Sequence, residues 1–223
     1  MVLGYAHKLS IMITSPVFFG ILLLAGVTVI QFYRGRRKNL EILERSIRIL
    51  EEVIKPKSKE YTVIGIYVGY HAKYLVDRGG VREVDATVVL LPRQSLLYIP
   101  IAIVTSRFDR LYLVFQLRKT PCAEAHLVRK GYYRLGVKRV VKNFENMICE
   151  SVEIGNARYH LVYTSRPMAE KLLRFANELS RPSILNHVAV VPKLNRLYIA
   201  AKLDLEVLHE LIAKSYALAR EVA

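Results

Sequence analysis

From Leu9 to Tyr33 the chain runs 25 residues without a charged side chain, and no other feature restricts its fold as much. As a helix rising about 1.5 Å per residue, that run is roughly 37 Å long, more than the ~30 Å hydrocarbon core of a bilayer requires. A cleavable signal peptide has an apolar region of only about 7–15 residues before a small-x-small site. Here the run is longer and no Ala-x-Ala pattern follows it. A helix buried in a globular core would normally keep one polar face, and this run has none. The sequence therefore predicts a retained transmembrane helix over 9–33. Pro16 falls in its first turns, where a missing donor costs least, and Tyr5 and Tyr33 suit the two interfaces.

Flanking charge sets the expected orientation. Arg34, Arg36, Arg37 and Lys38 follow the span, whereas only Lys8 and the terminal amine precede it. Cations are retained on the cytoplasmic side. The expectation is a single-pass membrane protein with residues 1–8 as a short external tail and the C-terminal bulk in the cytoplasm. Two cysteines, Cys122 and Cys149, are too few for a disulfide framework and agree with a reducing compartment. The four flanking cations would also attract anionic headgroups.

Residues 34–60 read as a basic juxtamembrane amphipathic helix and a hinge. Leu40, Leu43, Ile47, Leu50 and Ile54 recur at 3-4-3-4 spacing, the a/d pattern of a coiled-coil seam through which a homo-oligomer would form. Glu41–Arg45 and Glu44–Arg48 are i,i+4 pairs in the better order. Ile42, Ile49 and Val53 widen the stripe, which favours packing on the protein's own domain over a free zipper. Pro56 ends the helix, and Lys57–Glu60 is read as a charged hinge.

Beyond it, 61–223 is expected to be one mainly antiparallel, hairpin-rich α+β domain. Strands are predicted at Tyr61–Tyr70, Glu83–Leu91, Leu96–Val104 and Arg110–Arg118, separated by turn signals such as Arg78-Gly-Gly80. A short helix is sketched at Pro121–Lys130. Met147–Ile154 and Ala157–Thr164 flank Gly155-Asn156, a two-residue loop of the type II′ kind. A helix follows at Pro167–Ser180, then strands Ile184–Val191 and Arg196–Leu203. A last helix spans Leu205–Val222, with Asp204 as its N-cap and Leu205, Leu208, Ile212, Tyr216 and Ala219 as its buried face. Short connections make the strand pairing antiparallel.

Ile101–Leu117 and Val188–Leu203 align with one gap, opposite Arg107, and share six of sixteen pairs, including Arg110-Leu-Tyr112 with Arg196-Leu-Tyr198. Any two hairpins share alternation, so chance competes with an internal duplication into halves 61–142 and 147–223. If the duplication is real, Arg110 and Arg196 occupy equivalent turns.

No Walker loop, G-x-G-x-x-G, H-E-x-x-H, G-x-S-x-G or C-x-x-C is present, which argues against the common NTPase, dinucleotide, zinc-protease and hydrolase classes. Cys122 and His126 would share a helix face but are too few to ligate a metal, with Cys149 and His160 on a separate hairpin. His71, His187 and His209 read as satisfied or surface histidines. No metal, cofactor or catalytic residue is assigned, and the reading leans away from an enzyme.

The most basic stretch carries Arg118, Lys119, Arg129, Lys130, Arg134, Lys138, Arg139 and Lys142 against Glu124 alone, with Tyr132 and Tyr133 among them. Cations with aromatics suit single-stranded nucleic acid. The same cations suit an anionic lipid surface or an acidic protein, and a solvated basic face is the plain alternative. The expectation is a non-enzymatic interaction module for an anionic partner, held at the membrane. A membrane-tethered enzyme acting on a phosphorylated or anionic substrate competes with it, as does a structural subunit of a membrane assembly.

Overall fold

A computed structural model of the chain describes residues 16–223 except 97, 99, 102, 103, 105–107, 135 and 143. The expected tail 1–8 and the first residues of the expected span lie outside the described residues.

The apolar run and the amphipathic stretch form one continuous helix, α1 (Pro16–Ile54). It is long and apolar enough to cross a membrane, and its most apolar window makes no buried contact. Nothing in 34–54 breaks it: no proline occurs, and Gly35 sits where the helix touches the domain.

Nine strands make one sheet: β1 (Ser58–Gly65), β2 (Gly69–Arg78), β3 (Val81–Val89), β4 (Arg110–Leu117), β5 (Ala125–Arg129), β6 (Ile148–Ile154), β7 (Ala157–Tyr163), β8 (Leu185–Val191) and β9 (Arg196–Lys202). Their spatial order is β1-β2-β3-β4-β9-β8-β5-β7-β6, and every neighbouring pair is antiparallel. Antiparallel α+β architecture is thus as the sequence indicates. β7 and β8 both pair with β5 and so run parallel, joined by α2 (Arg166–Glu178). The chain closes with α3 (Leu208–Val222).

Alternation decides the faces. On β4, Leu111, Leu113, Phe115 and Leu117 are buried under the helices, while Tyr112, Val114 and Gln116 point to the opposite face. The C-terminal half of α1, α2 and α3 cover the first face and complete the core. On the other face the excursion between β5 and β6 brings Tyr133 onto β8.

The sheet has two distinct ends. The proximal end carries the β1–β2 turn, the end of β3, the start of β4 and the end of β9. α1 begins its contacts there: Asn39 Nδ2 donates to the carbonyls of Tyr67 (2.7 Å) and Leu91 (2.9 Å), and Gln31 Nε2 to that of Arg93 (2.9 Å). It ends at the distal end, where Arg78 donates to the Ile54 carbonyl. The apolar segment before Gln31 therefore projects beyond the proximal end.

Several expectations need correcting. The expected seam is rotated: α1 turns Gly35, Asn39, Ser46, Leu50 and Ile54 inward, while Leu40 is exposed. Leu50 and Ile54 are 0% exposed in the chain's own core, so they cannot also serve an intermolecular seam. The polar members fit because each has a partner, Ser46 with Tyr70 Oη at 2.9 Å and Asn39 as above. Ile42, Leu43, Ile47, Ile49 and Val53 pack partly against that core.

The predicted strand Tyr61–Tyr70 is two strands broken by a turn at Ile66–Val68, with Tyr67 left-handed at φ 64°. β1 begins at Ser58, so the hinge at Lys57–Glu60 shrinks to the residues around Pro56. Leu96–Val104 is not a strand among its described residues; Pro100, Ile101 and Val104 are helical. A continuous apolar run carries no period that separates a strand from other apolar structure. The sketched helix at Pro121–Lys130 is instead β5, whose Ala125, Leu127 and Val128 are buried between β7 and β8.

Asp204 does not cap α3; its Oδ1 accepts from the Glu206 amide at 3.1 Å, forming a local turn before the helix. Gly155 alone is positive (φ 57°) in its two-residue loop, as type II′ geometry requires. The aligned hairpins differ, since Val188–Val191 is strand and the described residues at 101 and 104 are not. Arg110 and Arg196 each open a strand, but at opposite ends of the β4–β9 pair.

Candidate anion-binding cleft

The site is built where four strands end together. Arg110 opens β4 and stands directly opposite Lys202, which closes β9. Like charges directly opposed on a ladder destabilise it, so the pairing calls for a compensating group. Asn186 sits at the β8 bulge, the residue skipped between the Leu185–Ala201 and His187–Ala200 pairs. Arg129 ends β5, and the chain then turns through Lys130, Gly131 (φ 81°) and Tyr132 to Arg134. Val104 and Phe108 of the β3–β4 connection complete a cleft of about 680 Å³.

Among the described residues, five cations line this cleft and no carboxylate does. None of the five forms an ion pair among the described residues; Arg129 donates to the Ser183 carbonyl at 2.6 Å. The Lys202 ammonium lies 4.9 Å over the Phe108 ring, and burial, then the nearby Arg129, pushes its pKa below the ordinary lysine value. Arg110 Nε is buried without a hydrogen-bond partner. Asn186 lines the cleft and is only 2% exposed. Buried amides and guanidinium nitrogens are almost always paired. An unpaired guanidinium donor in a cation-lined cleft points to an anionic acceptor.

The sequence stretch 118–142 does not act as one unit. Arg129, Lys130, Arg134 and Tyr132 enter the cleft. Arg118 lies at the distal end, where it pairs with Asp77, and Lys119 follows it there. Lys138, Arg139 and Lys142 line a separate depression with Phe144 and Glu145, where Lys138 Nζ stands 5.7 Å from the Phe144 ring centre. Tyr133 turns away from the cleft onto His187. Sequence spacing does not bring Arg110 and Lys202 into one site, since they are separated by 92 positions and meet only through strand pairing. Of the membrane-flanking cations, Arg34, Arg37 and Lys38 are exposed, and Arg36 covers the Tyr67 ring at 4.7 Å.

Beneath Tyr132 a polar chain crosses the sheet. Glu124 Oε1 lies 3.0 Å from His126 Nε2, His126 Nδ1 is 3.2 Å from His187 Nε2, and His187 Nδ1 is 2.8 Å from Tyr133 Oη. Tyr198 and Tyr133 pack edge-on against His187, and Tyr112 stacks on Tyr198 with ring centres 6.5 Å apart. Burial pushes His187 down to about 3, aided by the facing His126, and lowers His126 against the pull of Glu124. Burial likewise raises Tyr133 to about 12. Both imidazoles are therefore neutral at physiological pH, and the chain holds Tyr132-Tyr133 in place. His187 is a satisfied histidine, as its apolar neighbours in sequence suggest. The Cys122–His126 helix face does not exist, both cysteines are exposed, and no cluster of metal-ligating residues occurs among the described residues.

No protein-family model matches the sequence, and none of the curated proteins is similar enough to match it.

Proposed function

We propose that the chain is a single-pass membrane-anchored protein whose α+β domain is a non-enzymatic module that binds a phosphate-type anion in the proximal cleft. α1 supplies the anchor through its apolar segment. Arg34, Arg36, Arg37 and Lys38, read by the positive-inside rule, support a cytoplasmic side for the domain in this reading. One observation carries the binding reading: among the described residues, five cations, one of them with an unpartnered Arg110 Nε, converge on a cleft without a carboxylate.

The test uses the full chain in zwitterionic detergent with inorganic pyrophosphate as probe. Pyrophosphate should raise the unfolding midpoint at low salt, and the effect should shrink as salt screens the charges. Lys130→Ser with Arg134→Ser, both exposed and free of structural partners, should weaken binding about tenfold, at roughly 0.7 kcal/mol per removed cation. Lys138→Ser, Arg139→Ser and Lys142→Ser together should leave it unchanged. Absence of any pyrophosphate effect at low salt would overturn the assignment.

The tethered-enzyme reading draws on the Glu124–His126–His187–Tyr133 chain, a carboxylate–imidazole relay of the kind used for proton transfer. Its Tyr133 hydroxyl is engaged by His187, and no histidine or carboxylate lines the cleft. Turnover of a phosphoester abolished by Tyr133→Phe would favour that reading over the module.

A further inference from the structure

The proximal end has two properties that anion binding alone does not require. The first is apolar exposure. Ile64 stands out from the end of β1, Ile66 from the β1–β2 turn, and Tyr98, Ile101 and Val104 from the β3–β4 connection, with Ile66 73% and Val104 71% exposed. Isolated exposed apolar side chains are ordinary; a set gathered at one end of a domain marks a contact surface. The second is level. Tyr67, at the tip of the β1–β2 turn, lies under the Arg36 guanidinium and hands its carbonyl to Asn39. Arg36 is three residues beyond Tyr33, the last uncharged residue of the apolar run, a rise of about 4.5 Å. The turn is thus fixed at the height where α1 passes from hydrocarbon to headgroups. Arg93 and Gln94, at the start of the β3–β4 connection, are held there too, because Gln31 donates to Arg93 and Gly35 lies against the backbone of both.

The two properties meet in the cleft, whose lining includes Val104 beside the five cations. An apolar rim at interface depth with a cation cleft opening beside it complements one surface, the headgroup layer of a bilayer rich in anionic lipid. A soluble acidic protein or a nucleic acid would gain nothing from side chains held at that depth.

We propose that the proximal end of the domain seats on the bilayer that α1 crosses, with Ile64, Ile66, Tyr98, Ile101 and Val104 at the interface and the cleft holding the phosphate of an anionic lipid headgroup. The headgroup assignment rests on the anion reading of the cleft; the seating of the rim does not.

The chain contains no tryptophan, so a single introduced one reports without background. Ile66→Trp, Val104→Trp and, as control, Leu194→Trp are made in the full chain and reconstituted into phosphatidylcholine vesicles with or without phosphatidylglycerol. Leu194 is exposed in the β8–β9 connection at the distal end. Quenching by a lipid labelled near the headgroup should be about threefold stronger for Ile66→Trp and Val104→Trp than for Leu194→Trp. It should rise further with phosphatidylglycerol, and Lys130→Ser with Arg134→Ser should remove that increment. Equal, weak quenching at all three positions overturns the seating, whatever pyrophosphate does in detergent. Strong quenching at 66 and 104 that ignores lipid charge overturns the lipid phosphate as occupant of the cleft.

Discussion

Gly35→Ala sets two physical effects of opposite sign against each other, and the structure decides between them. In a helix interior alanine is favoured over glycine by about 1 kcal/mol. At Gly35, however, a Cβ would lie 2.2 Å from the Arg93 carbonyl oxygen, 2.3 Å from its carbon and 2.5 Å from the Gln94 nitrogen. Ordinary contact begins at 3.4 Å, so α1 and the 91–95 turn must separate by more than 1 Å, and the obstacle is backbone. The Asn39 bonds to Tyr67 and Leu91 and the Gln31 bond to Arg93, all at 2.9 Å or less, cannot survive that shift together. Overpacking costs about 1–3 kcal/mol, and a buried amide left without partners a similar amount. Against the propensity gain the net is a loss of about 2 kcal/mol, a fall of roughly 4–8 °C in Tm for a domain of this size. Gly26→Ala is the control, because nothing lies within 4 Å of its added Cβ on the same helix. Thermal unfolding of the full chain in detergent should rank Gly35→Ala well below the parent and Gly26→Ala at or above it. Hydrogen exchange should speed up at residues 93–95 in the first variant only. A Gly35→Ala protein as stable as Gly26→Ala would refute the close approach and with it the fixed level of the proximal end.

Three further predictions are independent of that contact. His187, held neutral down to about pH 3 against about 6.5 when unfolded, costs nothing above pH 6.5. Below that pH the unfolded state alone takes the proton, so stability should fall by about 1.4 kcal/mol per pH unit, roughly 2 kcal/mol by pH 5. Denaturant titrations between pH 7 and 5 should show this slope in the parent and a shallower one in His187→Leu; matching slopes would count against it. Gly80→Ala should cost about 1–2 kcal/mol, because the residue is left-handed (φ 80°) and its Cβ would meet that of Ala223 at 2.7 Å; an unchanged unfolding midpoint would contradict it. Lys202→Gln should stabilise the ligand-free protein by about 0.5 kcal/mol in low salt, by removing the charge opposite Arg110, while weakening pyrophosphate binding; destabilisation would mean the two cations do not repel.

What the sequence made legible was local. The apolar run, the Gly155-Asn156 hairpin and the α2 stripe of Met168, Leu172 and Phe175 each carry their signal within one turn or one period. Fully buried strands were harder to read. β5 pairs on both sides and buries four consecutive residues, Ala125 to Val128, so it has no alternation to detect. The Tyr61–Tyr70 run hid a turn because Ile66, Tyr67 and Val68 are strand formers; the reversal uses a left-handed Tyr67 and a positive φ at Gly65, and the flanking Gly65 and Gly69 were its signal. Half of the cleft was visible as the basic stretch from Arg129 to Arg134. The other half, Arg110, Asn186 and Lys202, depends on non-local strand order and on a bulge, neither of which composition or spacing encodes.

With 34 Lys+Arg for 19 Asp+Glu many cations must go unpaired, and placement decides which ones. Elsewhere the same fold pairs several of its cations: Lys73 with Glu83, Arg118 with Asp77, Arg166 with Glu150, Arg174 with Glu221, Arg181 with both Asp204 and Glu206, and Lys214 with Glu210. Arg93, at the proximal end, has Asp109 at 2.7 Å, so a carboxylate is available next to the residue that opens β4. Asp109 is nevertheless spent on Arg93 and the Leu91 amide, which fixes the connection against α1. Arg110, one position later, faces Lys202 with its Nε unpaired. The carboxylate is held by the connection that meets α1, and the cleft beside it keeps its positive charge, as the proposed phosphate-type ligand would require.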